Sequence, residues 1–481
     1  MRGIGVLCEW LGAGLLVLAS GACGDNLAAP ESTPPVDCGT RVPSPPPALP
    51  PAYDQQATER VACAFGPGAT TAATIGPQVP AIPPGTVEHV IVVMRENHSF
   101  DEYLSAYRPS GGQTIDVATD DNSNPDPASG GKPIHRFHDP RYCIEDANHE
   151  WSAAHLQFDN GRLDGFVASA NDTHGNAGGG GRVMGYYTAE DLPFYYWLAE
   201  HFATSDRYFS SVLGPTHANL EFYYRATSCG IAEGVDTNAK LLDCGRAGPT
   251  IFDRVGPGGS YKVYSAAQPA TLAAAVALGA YPITHVVGSI QDFEDDVAAN
   301  RLPDLVFVEP DYGDSLATAN DEHPPRDVQD GQRFAYDIVE AVMSHPDVWN
   351  HTVMFITWDE NGGFYDHVVP SRACKPDGAE APDFAFDNYG FRVPLLVVSP
   401  FARPGYVSHH VADHTSIARF VEHWKAQGAM TGRDANAWPL LDMFQFDAPT
   451  SIALPDVSLA EQSSDPVHVG TCGPGGTGVV P

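Results

Sequence analysis

The sequence is poor in basic residues. It has 26 Lys and Arg against 60 Asp and Glu, which gives a formal net charge of −34 over 481 residues. A surface this acidic repels the phosphates of nucleic acids, so a general nucleic-acid-binding function is not expected. It also repels an anionic phosphate ester, so a site for such an ester needs a strong local positive charge. A divalent cation is the natural source of that charge.

The sequence also lacks motifs that identify several large enzyme classes. There is no Gly-x-Ser-x-Gly turn, so an α/β-hydrolase esterase is unsupported. There is no Gly-x-x-x-x-Gly-Lys-Ser/Thr loop, so a nucleoside triphosphatase of that type is unsupported. There is no Cys-x-x-Cys pair, so neither a zinc ribbon nor a thioredoxin-type site is indicated. Any catalytic residues must therefore belong to other motifs.

What the chain does contain is the pattern of an α/β protein. Hydrophobic residues make up 43% of the sequence, and 481 residues can bury a large core in one big domain or two to three ordinary ones. Apolar runs at 89–94, 301–309 and 352–358 are typical of buried strands, and segments 331–343 and 416–426 are predicted helices. This alternation predicts a parallel-rich central sheet flanked by helices on both faces.

The first residues are typical of an export signal. A single basic residue, Arg2, precedes an apolar stretch at 11–19 that is too short to span a bilayer. Small residues then lead to Cys23, which resembles the lipidated first residue of a bacterial lipoprotein. We therefore expect an exported protein that is lipid-anchored to the bacterial cell envelope. Ordinary cleavage and secretion is the alternative.

The composition divides the chain into four parts. Residues 1–22 are the predicted signal peptide, and residues 23–86 are a Pro-rich tether of extended character. Residues 87–448 form the predicted functional domain. Residues 449–481 are rich in Gly, Pro and Ser and form a predicted irregular C-terminal tail.

Export permits disulfide bonds. If the signal is removed and Cys23 is lipidated, seven of the nine cysteines remain, so at least one stays unpaired. Cys229 and Cys244 are close in sequence and are the best candidate pair, and Cys38 with Cys63 is the next. The sequence leaves the connectivity as a whole open.

Two of the predicted strands end in acidic and amide side chains. Glu96 and Asn97 follow the first strand, and Asp359 and Glu360 follow a later one. In open α/β sheets, ligands bind beyond the carboxyl ends of the strands. Oxygen-rich side chains at that edge suit a hard metal ion. The alternative for the first cluster is a polar turn that caps the next helix.

A third cluster places a hydroxyl group at the predicted start of a helix. Thr216 follows the tight turn of Gly214 and Pro215, so free backbone N–H groups there favour a phosphate or another anion. A threonine hydroxyl can be a nucleophile if a metal ion or a base lowers its pKa. The alternative is that Thr216 only caps the helix.

Six segments, taken in order, resemble a known family. They are ENHSFDEY, GPTHAN, EHPP, WDENGGFYDHV, GFRVPLLVVSP and DHTS, and they lie within residues 87–424. They resemble the bacterial phosphoesterase family that holds the non-zinc phospholipases C and the respiratory-burst-inhibiting acid phosphatases. That family belongs to the alkaline-phosphatase-like superfamily, so the resemblance implies an alkaline-phosphatase-like α/β fold.

The resemblance also implies roles for individual residues. It implies one divalent metal ion, of unknown identity, and a phosphorylated threonine as intermediate. The implied metal ligands are Glu96, Asn97, Thr216, Asp359 and Glu360. Thr216 is also the implied nucleophile, and the other implied catalytic residues are His323, His149, His285 and Asn219.

The expected function follows from these roles. We expect a hydrolase of phosphoric esters, with phospholipase C activity on phospholipid diesters as the first choice. An acid phosphatase acting on phosphomonoesters is the alternative, and a non-catalytic surface-binding lipoprotein is the alternative of another class. The expected partners are a phospholipid or small phosphate-ester substrate and, through Cys23, a membrane surface, but no nucleic acid.

Overall fold

A computed structural model describes residues 41–171, 179–232, 248–266, 287–312, 319–376 and 386–453. The strands are β1 His89–Arg95, β2 Ser123–Asp126, β3 Lys132–His135, β4 Phe137–His138, β5 Gly185–Tyr186, β6 Ala203–Ser205, β7 Tyr208–Phe209, β8 Tyr261–Ser265, β9 Val287–Ser289, β10 Leu305–Glu309, β11 Thr352–Trp358, β12 Leu395–Val398, β13 Tyr406–Ser408 and β14 Ala412–Asp413. The α-helices are α1 Ala57–Val61, α2 Thr71–Thr74, α3 Phe100–Leu104, α4 Trp151–Phe158, α5 Phe166–Asn171, α6 Pro193–His201, α7 Thr216–Arg225, α8 Ile290–Ala298, α9 Val328–Met343, α10 Pro346–Trp349, α11 His414–Trp424 and α12 Gly432–Ala435.

The central element is an eight-stranded sheet with the strand order β13-β6-β12-β11-β1-β10-β8-β9. β1 pairs in parallel with both β10 and β11, which places Val90 beside Leu305 and Val353. β12 runs antiparallel to β11 and β6. Every residue of β1 and β11 is buried although successive side chains point to opposite faces, so both faces are covered. The prediction of a parallel-rich sheet covered on both faces is confirmed.

Two groups of helices pack around this sheet. α9 packs against α6, α8 and α10, and α11 packs against α7 and α12. α9 begins after Asp327, whose side chain accepts a hydrogen bond from the Gln329 N–H and so caps the first turn. Its buried residues include Ala335, Ile338 and Val342, which recur at helical spacing and form one apolar face. Both helices predicted from spacing are therefore present, with earlier starts than predicted.

The predicted tether is not extended along its whole length. From Arg41 onward it packs on the domain, where the Arg41 guanidinium donates to the Pro370 carbonyl at 2.8 Å. A disulfide bond joins Cys63 to Cys374, 311 residues away. These contacts make the described part of this segment a strap on the folded unit. Proline content alone indicated extended backbone, which is equally suited to lying along a surface.

The disulfide also corrects one predicted pair. Cys63 bonds to Cys374, so the predicted bond between Cys38 and Cys63 is wrong. The two cysteines of the actual pair are distant in sequence, and only the folded chain brings them together. Cys229 is disulfide-bonded as well, but Cys244 lies outside the described residues, so that pair stays a prediction.

The predicted signal peptide, Cys23 and the tail beyond residue 453 also lie outside the described residues. Within the described ranges, no helix has both the length and the apolar character that crossing a membrane requires.

Candidate active site

A cluster of carboxylate and amide groups joins the carboxyl ends of the neighbouring strands β1 and β11. The Asn97 N–H donates to Asp359 Oδ1 at 3.1 Å, across 262 residues of sequence, and the Glu360 N–H donates to the same oxygen at 2.8 Å. The Gly362 N–H donates to Glu360 Oε2 at 2.8 Å. Glu96 lies close enough for the charge of Asp359 to raise its pKa. The structure therefore brings the four predicted ligands of β1 and β11 together.

Three oxygens of this cluster are buried and have no hydrogen-bond partner. They are Asn97 Oδ1, Asp359 Oδ2 and Glu360 Oε1. A buried polar atom without a partner costs roughly 1–3 kcal/mol, so three such atoms in one place call for a ligand. Carboxylate and amide oxygens are the ligands that hard divalent cations prefer. These residues therefore fit the metal ion that the sequence implied.

The electrostatics of the cluster agree with that fit. Burial raises the pKa of Asp359 to about 6 and that of Glu360 to about 8. Burial, with the adjacent Asp359 and Asp321 charges, raises the pKa of Glu96 well above its usual value. Carboxylates crowded together away from water are hard to ionise together. A cation among them would favour the charged form of each.

A second group of possible ligands lies beside the carboxylates. In the described parts of the chain, ligand atoms of Asp146, His149 and His323 lie within 4.8 Å of one another, and the predicted carboxylate ligands form no group that tight. However, His149 Nδ1 lies 2.8 Å from the Ala147 carbonyl oxygen and His323 Nδ1 lies 2.7 Å from that of Pro324. Those bonds occupy Nδ1 and leave Nε2 of each ring able to bind a ligand. The unpartnered oxygens are the observation that favours the carboxylate cluster as the metal site.

Thr216 is the first residue of α7 and faces the carboxylates. Pro215 precedes it with extended backbone (φ −75°, ψ 173°), which lets the helix begin at Thr216. The nearby Thr216 side chain works against the rise in the pKa of the Asp359 carboxyl. The hydroxyl thus lies between the helix N-terminus and the predicted ligands, which is where a nucleophile is needed.

Asn219 supports the turn before α7. Its Oδ1 accepts from the Val212 N–H at 3.0 Å, and its Nδ2 donates to the Gly214 carbonyl at 2.9 Å. The side chain is fully buried. These contacts let Asn219 position Thr216, and the catalytic role that the resemblance implied for Asn219 stays a prediction.

His149 lies between the amide and carboxylate ligands. Its Nε2 is 3.4 Å from Asn97 Nδ2 and 3.9 Å from Glu360 Oε1. Burial opposes protonation of His149, but the charges of Glu360 and Asp146 outweigh it and raise its pKa well above the usual value. The neutral ring accepts from Asn97, and the protonated ring pairs with Glu360. His149 can therefore change partner when it gains or loses a proton.

His323 faces the same space. Its ring meets that of His149 edge-on, with 5.4 Å between the ring centroids. Burial lowers the pKa of His323 below its usual value, so in the free protein the ring favours its neutral form. The structure thus places both histidines at the cluster. The third predicted histidine, His285, lies outside the described residues.

The loop before His323 has a role that the sequence did not indicate. The carbonyl of Asp321 accepts from the Glu96 N–H at 2.9 Å. The Glu322 side chain is fully buried and accepts from Arg95, Tyr103, Tyr195 and Trp358. This carboxylate ties the loop to the ends of β1 and β11. The sequence analysis assigned a role to the histidine of EHPP and none to the adjacent Glu322, which anchors the loop.

A cavity of about 320 Å³ opens onto Thr216. Its lining residues are Glu96, Thr216, His217, Leu220, Tyr312, His323 and Arg326. Larger cavities of about 540, 620 and 680 Å³ lie elsewhere, and none is lined by a predicted site residue. The sequence missed His217, Tyr312 and Arg326. His217 lies within the GPTHAN segment, and Arg326 directly follows the EHPP segment.

A third polar group connects the segments that follow β1 and β11. Asp101 accepts from Arg392 Nη2 at 3.1 Å and pairs with His367 Nδ1 at 2.6 Å, and Arg392 also pairs with Asp366 at 2.9 Å. Asp101, Asp366 and His367 have the spacing of metal ligands. The buried guanidinium already balances their charge, so we interpret the group as an ionic brace between the segments that follow β1 and β11.

The comparisons with known proteins agree with the motifs. The sequence profile of the phosphoesterase family matches residues 87–425. Non-specific phospholipase C6 of Arabidopsis thaliana is 35% identical over 350 residues, which cover 70% of this chain and 66% of that protein. Phospholipase C B of Mycobacterium tuberculosis is 29% identical over 435 residues, covering 77% and 80%. The chain thus spans about two thirds of the length of the plant relative.

Solved structures give a more distant match. The lipoteichoic acid synthase LtaP from Listeria monocytogenes aligns over 79% of this chain and 81% of its own, with a TM-score of 0.38 and 10% identity.

Proposed function

The chain belongs to the phosphoesterase family, and we propose that it hydrolyses phosphoric esters through a phosphorylated Thr216. One observation carries the proposal: the Thr216 hydroxyl faces a buried cluster of oxygens that have no hydrogen-bond partner. We propose phospholipase C activity on phospholipid diesters as the specific reaction. The names of the plant and mycobacterial relatives support that choice.

In the proposed reaction, the Thr216 oxygen attacks phosphorus and the bond to the glycerol oxygen breaks. The Thr216 proton passes to the neighbouring Asp359 carboxylate, whose pKa the Thr216 side chain lowers. The departing glycerol oxygen takes a proton from His323. Water then attacks the phosphothreonine and gives a proton to the now neutral His323. The bond from phosphorus to the Thr216 oxygen breaks and that oxygen takes its proton back from Asp359, which releases the phosphorylated head group. A divalent cation held by the predicted ligands would neutralise phosphoryl charge and lower the pKa of the hydroxyl.

His323 requires a change of protonation state in this scheme. In the free protein, burial lowers its pKa. The negative charge of a bound phosphate diester acts in the opposite direction and favours the protonated ring. With Nδ1 bonded to the Pro324 carbonyl, the proton to be transferred is the one on Nε2.

The test compares p-nitrophenylphosphorylcholine with p-nitrophenyl phosphate, with and without a chelator. We expect faster turnover of the diester and loss of activity in the chelator. Faster turnover of the monoester would favour the acid phosphatase. Hydrolysis of neither substrate after addition of divalent metal ions would favour the non-catalytic surface lipoprotein.

The threonine is tested separately. Thr216→Val keeps the shape of the side chain but removes the hydroxyl, so turnover should fall by at least about a thousand-fold. Thr70→Val is the matched control, because Thr70 also lies at a helix N-terminus, that of α2, makes no capping hydrogen bond with its side chain and is exposed. Activity near that of the wild type in Thr216→Val would reduce Thr216 to the role of a helix-terminal residue.

We further propose that the protein is exported and lipid-anchored through Cys23. The short apolar stretch followed by small residues and a cysteine supports this. Metabolic labelling with a fatty acid tests it, and equal labelling of the wild type and Cys23→Ser would contradict it.

A further inference from the structure

Arg326 lines the cavity that contains the nucleophile. Among the described residues of that lining, it is the one with a permanent positive charge. The chain as a whole carries a net charge of −34. A guanidinium in this cavity therefore supplies positive charge that an anionic substrate needs. Its side chain is mostly buried, with 13% exposed, which keeps the charge poorly screened by water.

The position of Arg326 is fixed by the same loop that carries His323. Its guanidinium pairs with Asp321 and donates to the Tyr312 carbonyl at 3.4 Å, and its backbone N–H donates to the His323 carbonyl at 3.0 Å. Asp321 in turn accepts from the Glu96 N–H at 2.9 Å through its carbonyl. These contacts fix the position of the Arg326 guanidinium relative to the ligand cluster.

The surroundings indicate that its field reaches the reaction centre. Arg326 shares the lining of this cavity with Glu96, Thr216 and His323. A guanidinium also presents its N–H donors as a planar fork that matches two phosphoryl oxygens. The competing interpretation is that the pair with Asp321 only closes the loop.

We propose that Arg326 binds a non-bridging oxygen of the substrate phosphoryl group and sets how well the site accepts monoesters relative to diesters. This inference rests on the proposed function. A phosphodiester carries one negative charge, whereas a phosphomonoester above about pH 6 carries two. A fixed cation stabilises the dianion more, so Arg326 supports monoester binding in a site that also accepts diesters.

The experiment measures kcat/KM for p-nitrophenyl phosphate and p-nitrophenylphosphorylcholine near pH 8 in Arg326→Gln. We expect both values to fall, and the monoester value to fall at least about tenfold more, because one extra charge is lost as a partner. Inorganic phosphate should also inhibit diester cleavage at least about tenfold less well. Arg333→Gln is the matched control, since Arg333 pairs with Asp337 at 2.8 Å on exposed α9 surface and should change nothing.

Equal losses of kcat/KM on both substrates, with unchanged inhibition by phosphate, would overturn the inference. Arg326 would then only stabilise the loop through its ion pair with Asp321. If Arg326→Gln does not fold, Arg326→Lys decides. Lysine keeps the charge but not the planar fork, so both rates should fall while their ratio stays within about threefold of the wild type. A ratio that moves tenfold in Arg326→Lys would also overturn the inference.

Failure of the proposed function is distinguishable from failure of this inference. If the wild type cleaves neither substrate, the proposed function fails, and binding of inorganic phosphate still tests Arg326. Phosphate should raise the melting temperature of the wild type and of Arg333→Gln but not that of Arg326→Gln. Equal protection of all three proteins would overturn the role of Arg326.

Discussion

Replacing Glu322 by Gln is expected to destabilise the protein strongly while changing the shape of the side chain very little. One carboxylate oxygen accepts from Arg95 Nη2 at 3.1 Å and from the Tyr195 hydroxyl. The other accepts from the Tyr103 hydroxyl at 2.9 Å and from Trp358 Nε1 at 2.8 Å. Every partner is a donor here, and the glutamine amide offers one acceptor oxygen in place of two.

The cost depends on which oxygen is lost. If the NH2 group faces Trp358, the indole loses its acceptor, because indole N–H is only a donor, although the Tyr103 hydroxyl can turn and accept. Arg95 loses its counter-charge in either orientation; if the NH2 group faces Arg95, the buried guanidinium also loses this acceptor and keeps only the Asn320 carbonyl. Unpartnered buried groups cost about 1–3 kcal/mol each, and breaking a buried ion pair costs about 3–5 kcal/mol. We expect a total loss of about 3–5 kcal/mol, because these terms overlap.

The assay is equilibrium urea unfolding followed by tryptophan fluorescence and circular dichroism. Glu294→Gln on exposed α8 surface is the control, and it should stay within about 0.5 kcal/mol of the wild type. A loss below about 1 kcal/mol in Glu322→Gln would refute the reasoning, since it would mean that the charge contributes little to this network. Folded Glu322→Gln should also turn over more slowly, because Glu322 directly precedes His323 and anchors that loop to β11.

Two further predictions concern histidines. His323→Ala should slow esters of poor leaving groups, such as a lipid glycerol, about a hundred- to ten-thousand-fold, and p-nitrophenyl esters much less, because only the former need a proton; equal losses would limit His323 to phosphate binding or loop support. Burial opposes protonation of His367, but Asp101 outweighs it and raises the pKa of His367 from 6.5 to about 9. Its contribution to stability is therefore fully present below pH 6.5 and lost as pH rises through about 9. The unfolding free energies of the wild type and His367→Gln should differ more at about pH 6 than at about pH 10, and a pH-independent difference would contradict the ion pair.

The strands that carry the site were predictable because their signal is local. β1 and β11 are apolar runs with polar residues directly after them, and both features can be read within about ten residues. A parallel sheet aligns the carboxyl ends of its strands, so Glu96 and Asp359 were expected at one edge. The start of α7 at Thr216 was likewise indicated by the turn that precedes it.

The disulfide and the strap were not predictable because their partners are distant in the chain. Cys63 meets Cys374 only after the domain has folded, and proximity in sequence suggested a different partner. Proline-rich sequence indicates extended backbone but does not tell whether that backbone lies on a surface. Arg326 was not predicted either, because a single basic residue after EHPP does not by itself indicate a function. Its place in the cavity depends on the fold.

The sequence by itself therefore determined the family and predicted the type of each ligand and the nucleophile, because these depend on which residues follow which strand. Only the tertiary structure decided what those groups experience. Burial and crowding raise the pKa of Glu360 to about 8, and packing leaves three oxygens without partners. It also places Arg326 in the lining of the cavity. These properties depend on contacts between distant segments, such as the hydrogen bond between Asn97 and Asp359, which are 262 residues apart. No local sequence pattern contains that information.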